Sequence, residues 1–290
     1  MRVIDSHVHL YPREANNDPA QWGQKHGETA WVEMSTRYRR SGIAVQGFPS
    51  VDDLLREMDT AGVERSVLLG WYWANAETCR TQNGFYAECV REHPSRFFGF
   101  ATLQPAGDAE GAIAEMKRAR DAGLIGLGEL SPHAQQYAID DPGFAEVLQL
   151  AEDWSWPVNL HVTDPAGRAY PGRVETPPED FVRLAQTYPK VPFILAHWGG
   201  LLPLRDPAAA QLTNLYYDTA ASPLLYDKTV WSRFLAVVPK DHVLFGSDFP
   251  LNVYPTMAVK PEMARFLAEA QGVGVSETIF SGNVERLLIR

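Results

Sequence analysis

The sequence predicts an α/β fold, a (β/α)8 TIM barrel with a long loop after the first strand and an extra C-terminal helix. Short apolar runs rich in β-branched residues alternate with amphipathic segments along the chain, a pattern typical of parallel strands joined by helices. About eight such units are present, which is the number a closed barrel needs. Barrels of this length commonly form one unit, so we expect residues 1–290 to be a single domain.

Eight strands are predicted from short apolar runs bounded by polar or helical segments. They are residues 3–9, 65–70, 97–102, 125–130, 158–162, 193–197, 215–219 and 242–247. Helices are predicted between them at residues 51–61, 78–92, 109–122, 142–153, 178–188, 203–212, 228–237 and 261–270. Residues 276–289 predict a further helix that docks its apolar face on the barrel.

The connection after the first strand is far longer than the usual loop between a strand and a helix. It covers residues 11–50 and contains Trp22, Trp31 and Tyr38. Connections of this length in compact domains are commonly lids or binding segments. We therefore expect residues 11–50 to form a lid or a substrate-binding insertion.

Composition excludes several classes of function. Lys and Arg total 26 against 36 Asp and Glu, a net charge of −10, which disfavours binding to a phosphate backbone. The chain shows no signal-type segment and no apolar run of about 18 residues, so we expect a cytoplasmic protein without nucleic-acid or membrane partners.

Cys79 and Cys89 lack CxxC spacing and are predicted to be free thiols. Monomer and homo-oligomer both fit the sequence.

Histidines and one aspartate lie at the ends of predicted strands. His7 and His9 end the first strand, where alternate side chains share a face. His161 and His197 end the fifth and sixth strands, and Asp248 follows the eighth. Taken singly, each is more often structural, as a hydrogen-bonded histidine or a turn-forming aspartate. Together they occupy the barrel face that carries active sites, and imidazole with carboxylate suits zinc or a similar divalent ion.

Several motifs resemble the amidohydrolase superfamily, particularly its amidohydrolase-related (family 2) branch. They are Asp-Ser-His-Val-His at residues 5–9, the strand-end His161, Ala-His-Trp-Gly-Gly at 196–200, Gly-Ser-Asp-Phe-Pro at 246–250 and the closing segment 280–288. The resemblance spans nearly the whole chain. It implies that His7, His9, His161 and Asp248 contact a catalytic metal. It also implies that His197 is either a ligand of a second metal or a catalytic acid or electrophile.

Glu129 ends the fourth strand, where binuclear relatives carry a carbamylated lysine or a glutamate that bridges two metals. No lysine lies at this strand end. Glu129 is therefore a candidate bridge; a carboxylate that orients a histidine and an ordinary polar side chain are the alternatives. The cofactor that fits best is zinc, with manganese or another divalent ion as alternatives, in one or two copies.

Side chains in the loops at the same end are candidates for contact with a small-molecule substrate. Aromatic walls are usual in small-molecule pockets, and a guanidinium pairs well with a carboxylate. The alternatives are core packing for the rings and solvation for the loop residues. The candidates are Trp71, Trp73, His133, Arg168, Arg173 and Trp198.

Two reactions fit this set of residues. The first is hydrolysis of an ester, lactone or amide by metal-activated water, with Asp248 accepting a proton and His197 or the metal stabilising the oxyanion. The alternative is nonoxidative decarboxylation of a small aromatic or unsaturated acid, because the branch includes aminocarboxymuconate-semialdehyde and γ-resorcylate decarboxylases. We expect hydrolysis, with decarboxylation second and a catalytically silent metal-binding barrel third. No GxSxG, GxGxxG or P-loop motif is present.

Overall fold

Eight parallel strands are present in the computed structural model, which describes residues 1–252 and 262–289. Each overlaps a strand predicted from the sequence. They are β1 (Ile4–Val8), β2 (Arg65–Leu68), β3 (Phe97–Gly99), β4 (Leu127–Leu130), β5 (Val158–Leu160), β6 (Phe193–Leu195), β7 (Leu215–Asp218) and β8 (Val243–Leu244).

The strands pair in parallel in sequence order, as β1 to β3 and as β4 to β8. Backbone hydrogen bonds join these two groups on both sides. Ala101 N donates to Gly126 O and Gly128 N donates to Ala101 O, both at 2.8 Å, beside β3 and β4. Ser6 N donates to Phe245 O at 2.8 Å between β1 and the end of β8. The fold is therefore the expected (β/α)8 barrel, with all carboxyl ends of the strands at one end.

Helices cover the outside of the barrel, close to the predicted positions. They are Val51–Ala61, Ala76–Glu92, Ala109–Asp121, Pro142–Trp154, Pro178–Thr187, Thr229–Leu235 and Met263–Gly272. Two short helices, Leu202–Arg205 and Ser222–Leu225, contribute residues to the cavity at the carboxyl ends of the strands. Ser50 starts the first with a capping box, because its hydroxyl accepts from Asp53 N while the Asp53 carboxylate accepts from Ser50 N. The predicted helix 261–270 begins at Pro261, which lies outside the described residues.

The prediction of one continuous helix over residues 203–212 is wrong. The helix Leu202–Arg205 ends at Asp206, which is extended, and a separate 3-10 turn follows at Ala209–Gln211. Pro207 explains the break, because proline lacks an N–H and disfavours helical backbone in the residue before it.

The long connection at residues 11–50 is a folded insertion rather than an irregular loop. It contains the helices Arg13–Asn17, Pro19–Lys25 and Thr29–Ser35. Its aromatic rings pack around Trp73, which lies 5.5 Å from Trp22 and 5.2 Å from Trp31 between ring centroids. The buried Glu28 carboxylate accepts from the backbone N–H groups of Ala74 and Asn75, at 2.8 and 3.1 Å. These contacts fix the insertion to the loop after β2.

The chain ends on the opposite end of the barrel, where the predicted C-terminal helix is found. It consists of a π-helical turn, Thr278–Gly282, and an α-helix, Asn283–Leu288. The side-chain amide of Asn283 donates to Lys240 O and Val243 O, at 2.8 and 2.7 Å. Across residues 1–252 and 262–289, no helix has the length and apolarity needed to cross a membrane. Cys79 and Cys89 are buried and free, as expected.

Candidate metal centre and cavity

The barrel brings the predicted site residues together at the carboxyl ends of its strands. His7 lies within β1 and Glu129 within β4, while the others follow their strands by one to four residues. All are buried except His161, which is partly exposed. The set is His7, His9, Glu129, His161, His197 and Asp248.

His7 and His9 point their Nε2 atoms at each other, 3.1 Å apart. Asp248 Oδ1 lies 3.7 Å from His7 Nε2 and 3.4 Å from His9 Nε2. Glu129 Oε2 lies 3.8 Å from His9 Nε2. Two imidazole nitrogens and two carboxylate oxygens thus converge, which is a donor set that zinc and manganese both accept.

The other ring nitrogens show why this cluster fits a cation. His7 Nδ1 lies 2.9 Å from Asp218 Oδ2, and His9 Nδ1 lies 2.9 Å from Leu69 O. A carboxylate and a carbonyl only accept, so both Nδ1 atoms carry hydrogen, and the facing Nε2 atoms of neutral rings present lone pairs to each other. That arrangement repels unless a proton or a cation lies between the two atoms. Although burial opposes protonation of His7, the surrounding Asp218, Asp248 and Glu129 carboxylates raise its pKa to about 10, so a proton on His7 Nε2 meets this need without a metal, and a bound cation would replace that proton.

Glu129 lies between two groups of ligand-type residues. Its Oε1 is 3.0 Å from His161 Nδ1 and 3.8 Å from His197 Nε2, while Oε2 faces His9. It belongs to two groups of ligand-type residues, His7–His9–Glu129 and Glu129–His161–His197. Within each group, the ligand atoms lie within 4.8 Å of one another. Burial favours the protonated acid, but His161, His7 and His9 outweigh it and lower the pKa of Glu129. His161 is thus grouped with Glu129 and His197 rather than with His7 and His9.

His197 begins a left-handed turn that aims its ring into the site. Residues 197–201 all have positive φ, with values of 56° at His197, 59° at Trp198 and 62° at Leu201. Non-glycine residues in this region cost about 1–2 kcal/mol each, so neighbouring contacts must hold the turn. Gly199 is required because an added Cβ would lie 2.7 Å from the Tyr217 ring. Burial lowers the pKa of His197, so its ring is neutral near pH 7.

Asp248 joins the two sides of the site. Its backbone N–H donates to His7 O at 2.9 Å, and its φ is 65°. One carboxylate oxygen faces His7 and His9, while the other, Oδ2, lies 3.8 Å from His197 Nδ1. Asp248 therefore contacts both the metal-type cluster and the candidate acid–base histidine.

Two buried carboxylates behind the site did not stand out in the sequence. Asp218, at the end of β7, accepts from His7 and from the backbone N–H of His197. Asp5 accepts from the backbone N–H groups of His7 and Ser247, and burial raises its pKa to about 6. The available signal was an acidic residue inside an apolar strand, which is costly unless it is hydrogen-bonded.

A cavity of ≈ 950 Å³ opens over the cluster. His9, Glu129, His161, His197 and Asp248 line it. The insertion contributes Met34, Arg37 and Gln46, and the loop after His161 contributes Arg168, Tyr170 and Arg173. The Trp71 and Tyr72 rings stack at 4.3 Å between centroids, and Tyr72 lies 5.0 Å from the His161 ring.

Guanidinium groups outnumber free carboxylates around this cavity. Lining arginines are Arg37, Arg168, Arg173, Arg205 and Arg233, whereas the lining acids outside the metal-type cluster are Asp164 and Asp227. Asp164 pairs with Arg205 at 2.5 Å and accepts from the Tyr226 hydroxyl at 2.8 Å, and Arg173 pairs with Glu175, so two of the five arginines already have carboxylate partners. The five arginines still exceed the three acids Asp164, Asp227 and Glu175, which suits the cavity above the cluster to an anion.

The six predicted substrate contacts divide into two groups. Trp71, Arg168 and Arg173 line the cavity, whereas Trp73, His133 and Trp198 are placed away from it. Trp73 lies in the aromatic core of the insertion. Trp198 packs against the Trp231 ring at 4.7 Å and the Phe234 ring at 4.9 Å, and His133 Nε2 pairs with Asp180 Oδ2 at 2.8 Å. Substrate contact by these three residues stays a prediction that the cavity does not support, because a strand-end position does not fix the direction of a loop side chain.

Comparison with known proteins gives one family and a set of similar folds. The Amidohydrolase family model (Amidohydro_2) matches residues 4–289. No protein of curated function matches the chain.

The solved structures similar to this chain include three decarboxylases. 5-Carboxyvanillate decarboxylase from Sphingomonas paucimobilis superposes with a TM-score of 0.74 at 19% identity, covering 99% of this chain and 98% of its own. 2,6-Dihydroxybenzoate decarboxylase from Rhizobium gives 0.70 at 19% identity, with the same coverage. Dihydroxybenzoic acid decarboxylase from Polaromonas, solved with manganese, gives 0.66 at 18% identity, covering 99% and 96%. At these identities the likeness establishes the barrel fold.

Proposed function

The chain belongs to the Amidohydrolase family, and from that premise we propose that it is a metal-dependent nonoxidative decarboxylase of a small aromatic or unsaturated carboxylic acid. The observation that carries the proposal is the cavity, which is rich in arginine, walled by aromatic rings and opens directly onto the His, Asp and Glu cluster. The similar structures reported above include decarboxylases of aromatic acids. This ordering replaces hydrolysis as the first candidate.

The cavity walls match such a substrate in charge and shape. Arginine pairs with carboxylates through two parallel N–H groups, and five arginines line the walls. The stacked rings of Trp71 and Tyr72 offer a flat apolar face next to His9 and His161. We also propose that the insertion at residues 11–50 forms part of the substrate site, since Met34, Arg37 and Gln46 line the cavity.

His7, His9, Asp248 and Glu129 would hold the metal, because their donor atoms converge and a cation would replace the proton between the two Nε2 atoms. When bound, a divalent ion supplies Lewis-acid polarisation of the substrate's carboxylate and neighbouring oxygen. Zinc and manganese are the candidates, since both bind imidazole and carboxylate.

Decarboxylation replaces a carbon–carboxylate bond with a carbon–hydrogen bond, so one proton must reach the carbon that releases carbon dioxide. Asp248 is the proposed proton donor, with Oδ2 directed at His197 Nδ1, 3.8 Å away. His197 Nδ1 also lies 3.3 Å from Ala220 O, which only accepts, so Nδ1 carries hydrogen. Because burial lowers its pKa, the ring is neutral and can take up a proton at Nε2 while it passes one from Nδ1 to Asp248.

Hydrolysis of an ester, lactone or amide remains the second candidate, and one observation favours it. Glu129 lies between two groups of three ligand-type residues, as a carboxylate bridging two ions would. In that reaction Asp248 takes a proton from the attacking water. Two ions per chain would favour hydrolysis, whereas one ion fits both reactions, so the reaction products separate the two candidates.

The test is a substrate panel offered to the protein loaded separately with zinc and with manganese. It contains aromatic and unsaturated carboxylic acids, together with esters, lactones and amides, and both carbon dioxide and hydrolysis products are measured. We expect carbon dioxide in amounts equal to the acid consumed. His133→Asn is the matched control, because this histidine pairs with Asp180 away from the cavity and its loss should leave turnover unchanged. Hydrolysis without carbon dioxide would overturn the proposal in favour of the second candidate, and metal binding without any turnover would favour the silent barrel.

A further inference from the structure

We infer that Asp218 is a positioning residue that sets two parts of the site at once: the tautomer of His7 and the backbone conformation of His197. The inference rests on the metal centre of the proposed function, but it is independent of which reaction the enzyme catalyses. Asp218 is fully buried at the end of β7 and does not line the cavity.

Four donors converge on the Asp218 carboxylate, two on each oxygen. Oδ2 accepts from His7 Nδ1 at 2.9 Å and from Asn159 Nδ2 at 3.1 Å. Oδ1 accepts from the backbone N–H groups of His197 and Ala220, both at 3.0 Å. Because an ionised carboxylate only accepts hydrogen bonds, this set fills both oxygens with donors and leaves no clash.

Each half of this arrangement has its own consequence. On one side, the hydrogen bond to Asp218 keeps the proton of His7 on Nδ1. Nε2, which faces His9 and Asp248, can then offer its lone pair to a metal ion. On the other side, Asp218 anchors the first amide of the left-handed turn that begins at His197. A backbone held in this region needs such support, and it directs the His197 ring toward Asp248 and Glu129.

Asparagine cannot reproduce both halves. It offers one acceptor oxygen and one NH2 donor, so the NH2 must face either the His7 side or the two backbone amides. Facing His7 Nδ1, the NH2 would donate to that nitrogen and move the ring proton to Nε2, which blocks metal binding. Facing the amides of His197 and Ala220, the NH2 would point its hydrogens at two backbone N–H groups, which are also donors. The turn would then lose the hydrogen bonds that hold its first amide. Asp218→Asn must therefore disturb one of the two, although its size is nearly unchanged.

The experiment compares wild type, Asp218→Asn and the control Glu115→Gln. Glu115 is also a buried carboxylate, but it pairs with Asn83 and Arg118 and does not line the cavity. Affinity for Zn²⁺ and Mn²⁺ is measured by competition with a chelator. Hydrogen exchange of the His197 and Ala220 amides is measured without metal.

We expect Asp218→Asn to bind both ions at least about tenfold more weakly, to exchange these amides at least about tenfold faster, or both, with Glu115→Gln showing neither. Equal values for Asp218→Asn and wild type, or equal losses in both variants, would overturn the inference. If wild type binds neither ion, the metal centre of the proposed function fails, and the exchange of the two amides still decides the role of Asp218.

A second measurement needs no variant and so does not depend on whether Asp218→Asn folds. Nitrogen-15 labelling of the histidine rings in the zinc-loaded wild type reports which ring nitrogen of His7 carries hydrogen. We expect a slowly exchanging proton on Nδ1. A His7 ring with its proton on Nε2 would contradict the inference.

Discussion

The two ends of the barrel use polar groups in opposite ways. At the end opposite the cavity, the Asn283 amide satisfies two backbone carbonyls, and the C-terminal helix seals an apolar layer that includes Ile4, Leu244 and Val284. At the cavity end, His7 and His9 instead face each other with matching nitrogen atoms. The hydrogen bonds from Asn283 to backbone carbonyls serve stability at one end, whereas the two facing histidine nitrogens at the other end are suited to a cation.

Two histidines show this difference directly. His242 stacks on the Tyr216 ring at 4.8 Å and its Nδ1 donates to Leu215 O at 2.7 Å, so its contacts are those of a structural residue. His7 makes a similar Nδ1 hydrogen bond, but its Nε2 points to another histidine and to the Asp248 carboxylate. Both ends contain a histidine with a hydrogen-bonded Nδ1, and the surroundings of Nε2 at the cavity end distinguish His7 as a candidate metal ligand.

Asp248→Asn tests the chemistry of the cavity end most severely. Asparagine keeps one oxygen, but it loses the negative charge near His7 and His9 and cannot transfer a proton next to His197, so we expect turnover to fall by about 10²–10⁴-fold or more. Steady-state kinetics of the metal-loaded variant measure the effect, and a thermal melt checks the fold. Retention of near wild-type turnover would remove Asp248 from the mechanism.

His7→Asn and His242→Asn form a matched pair across the two ends. We expect His7→Asn to weaken Zn²⁺ and Mn²⁺ binding by more than about 100-fold, and His242→Asn to change it by less than about twofold, because only the first side chain faces the cluster. Chelator competition gives both affinities. Similar metal affinities in the two variants would contradict the proposed location of the centre.

Glu129→Gln tests whether the cavity end holds one ion or two. The decarboxylase proposal predicts one ion per chain in the wild type and one, bound about tenfold more weakly, in the variant. Elemental analysis of both proteins counts the ions. Two ions in the wild type that fall to one in Glu129→Gln would instead support a bridging carboxylate and the hydrolytic candidate.

Asn283→Ala should damage only the opposite end. It leaves the carbonyls of Lys240 and Val243 without their buried donor, which should lower the free energy of unfolding by about 1–3 kcal/mol. Denaturant unfolding measures the loss. Because Asn283 does not line the cavity, we expect kcat/KM and metal affinity to stay at wild-type values, and a large fall in either would show that the two ends are coupled.

The fold followed from the sequence because strands in a barrel are short apolar runs whose position does not depend on distant contacts. The failures have local causes. Pro207 breaks the helix predicted over residues 203–212, and it was visible in the sequence. The short helices of the insertion have little periodicity of their own, and contacts such as Glu28 with Ala74 and Asn75 hold them.

The sequence by itself determined which end of the barrel carries the candidate site, because strand periodicity puts His7, His9, His161 and Asp248 at carboxyl ends. Only the tertiary structure decided how these residues pair. His161 joins Glu129 and His197, and Asp218 contacts His7 across 211 residues of sequence. The physical reason is barrel closure, which sets distances and ring orientations between strands that no local pattern encodes.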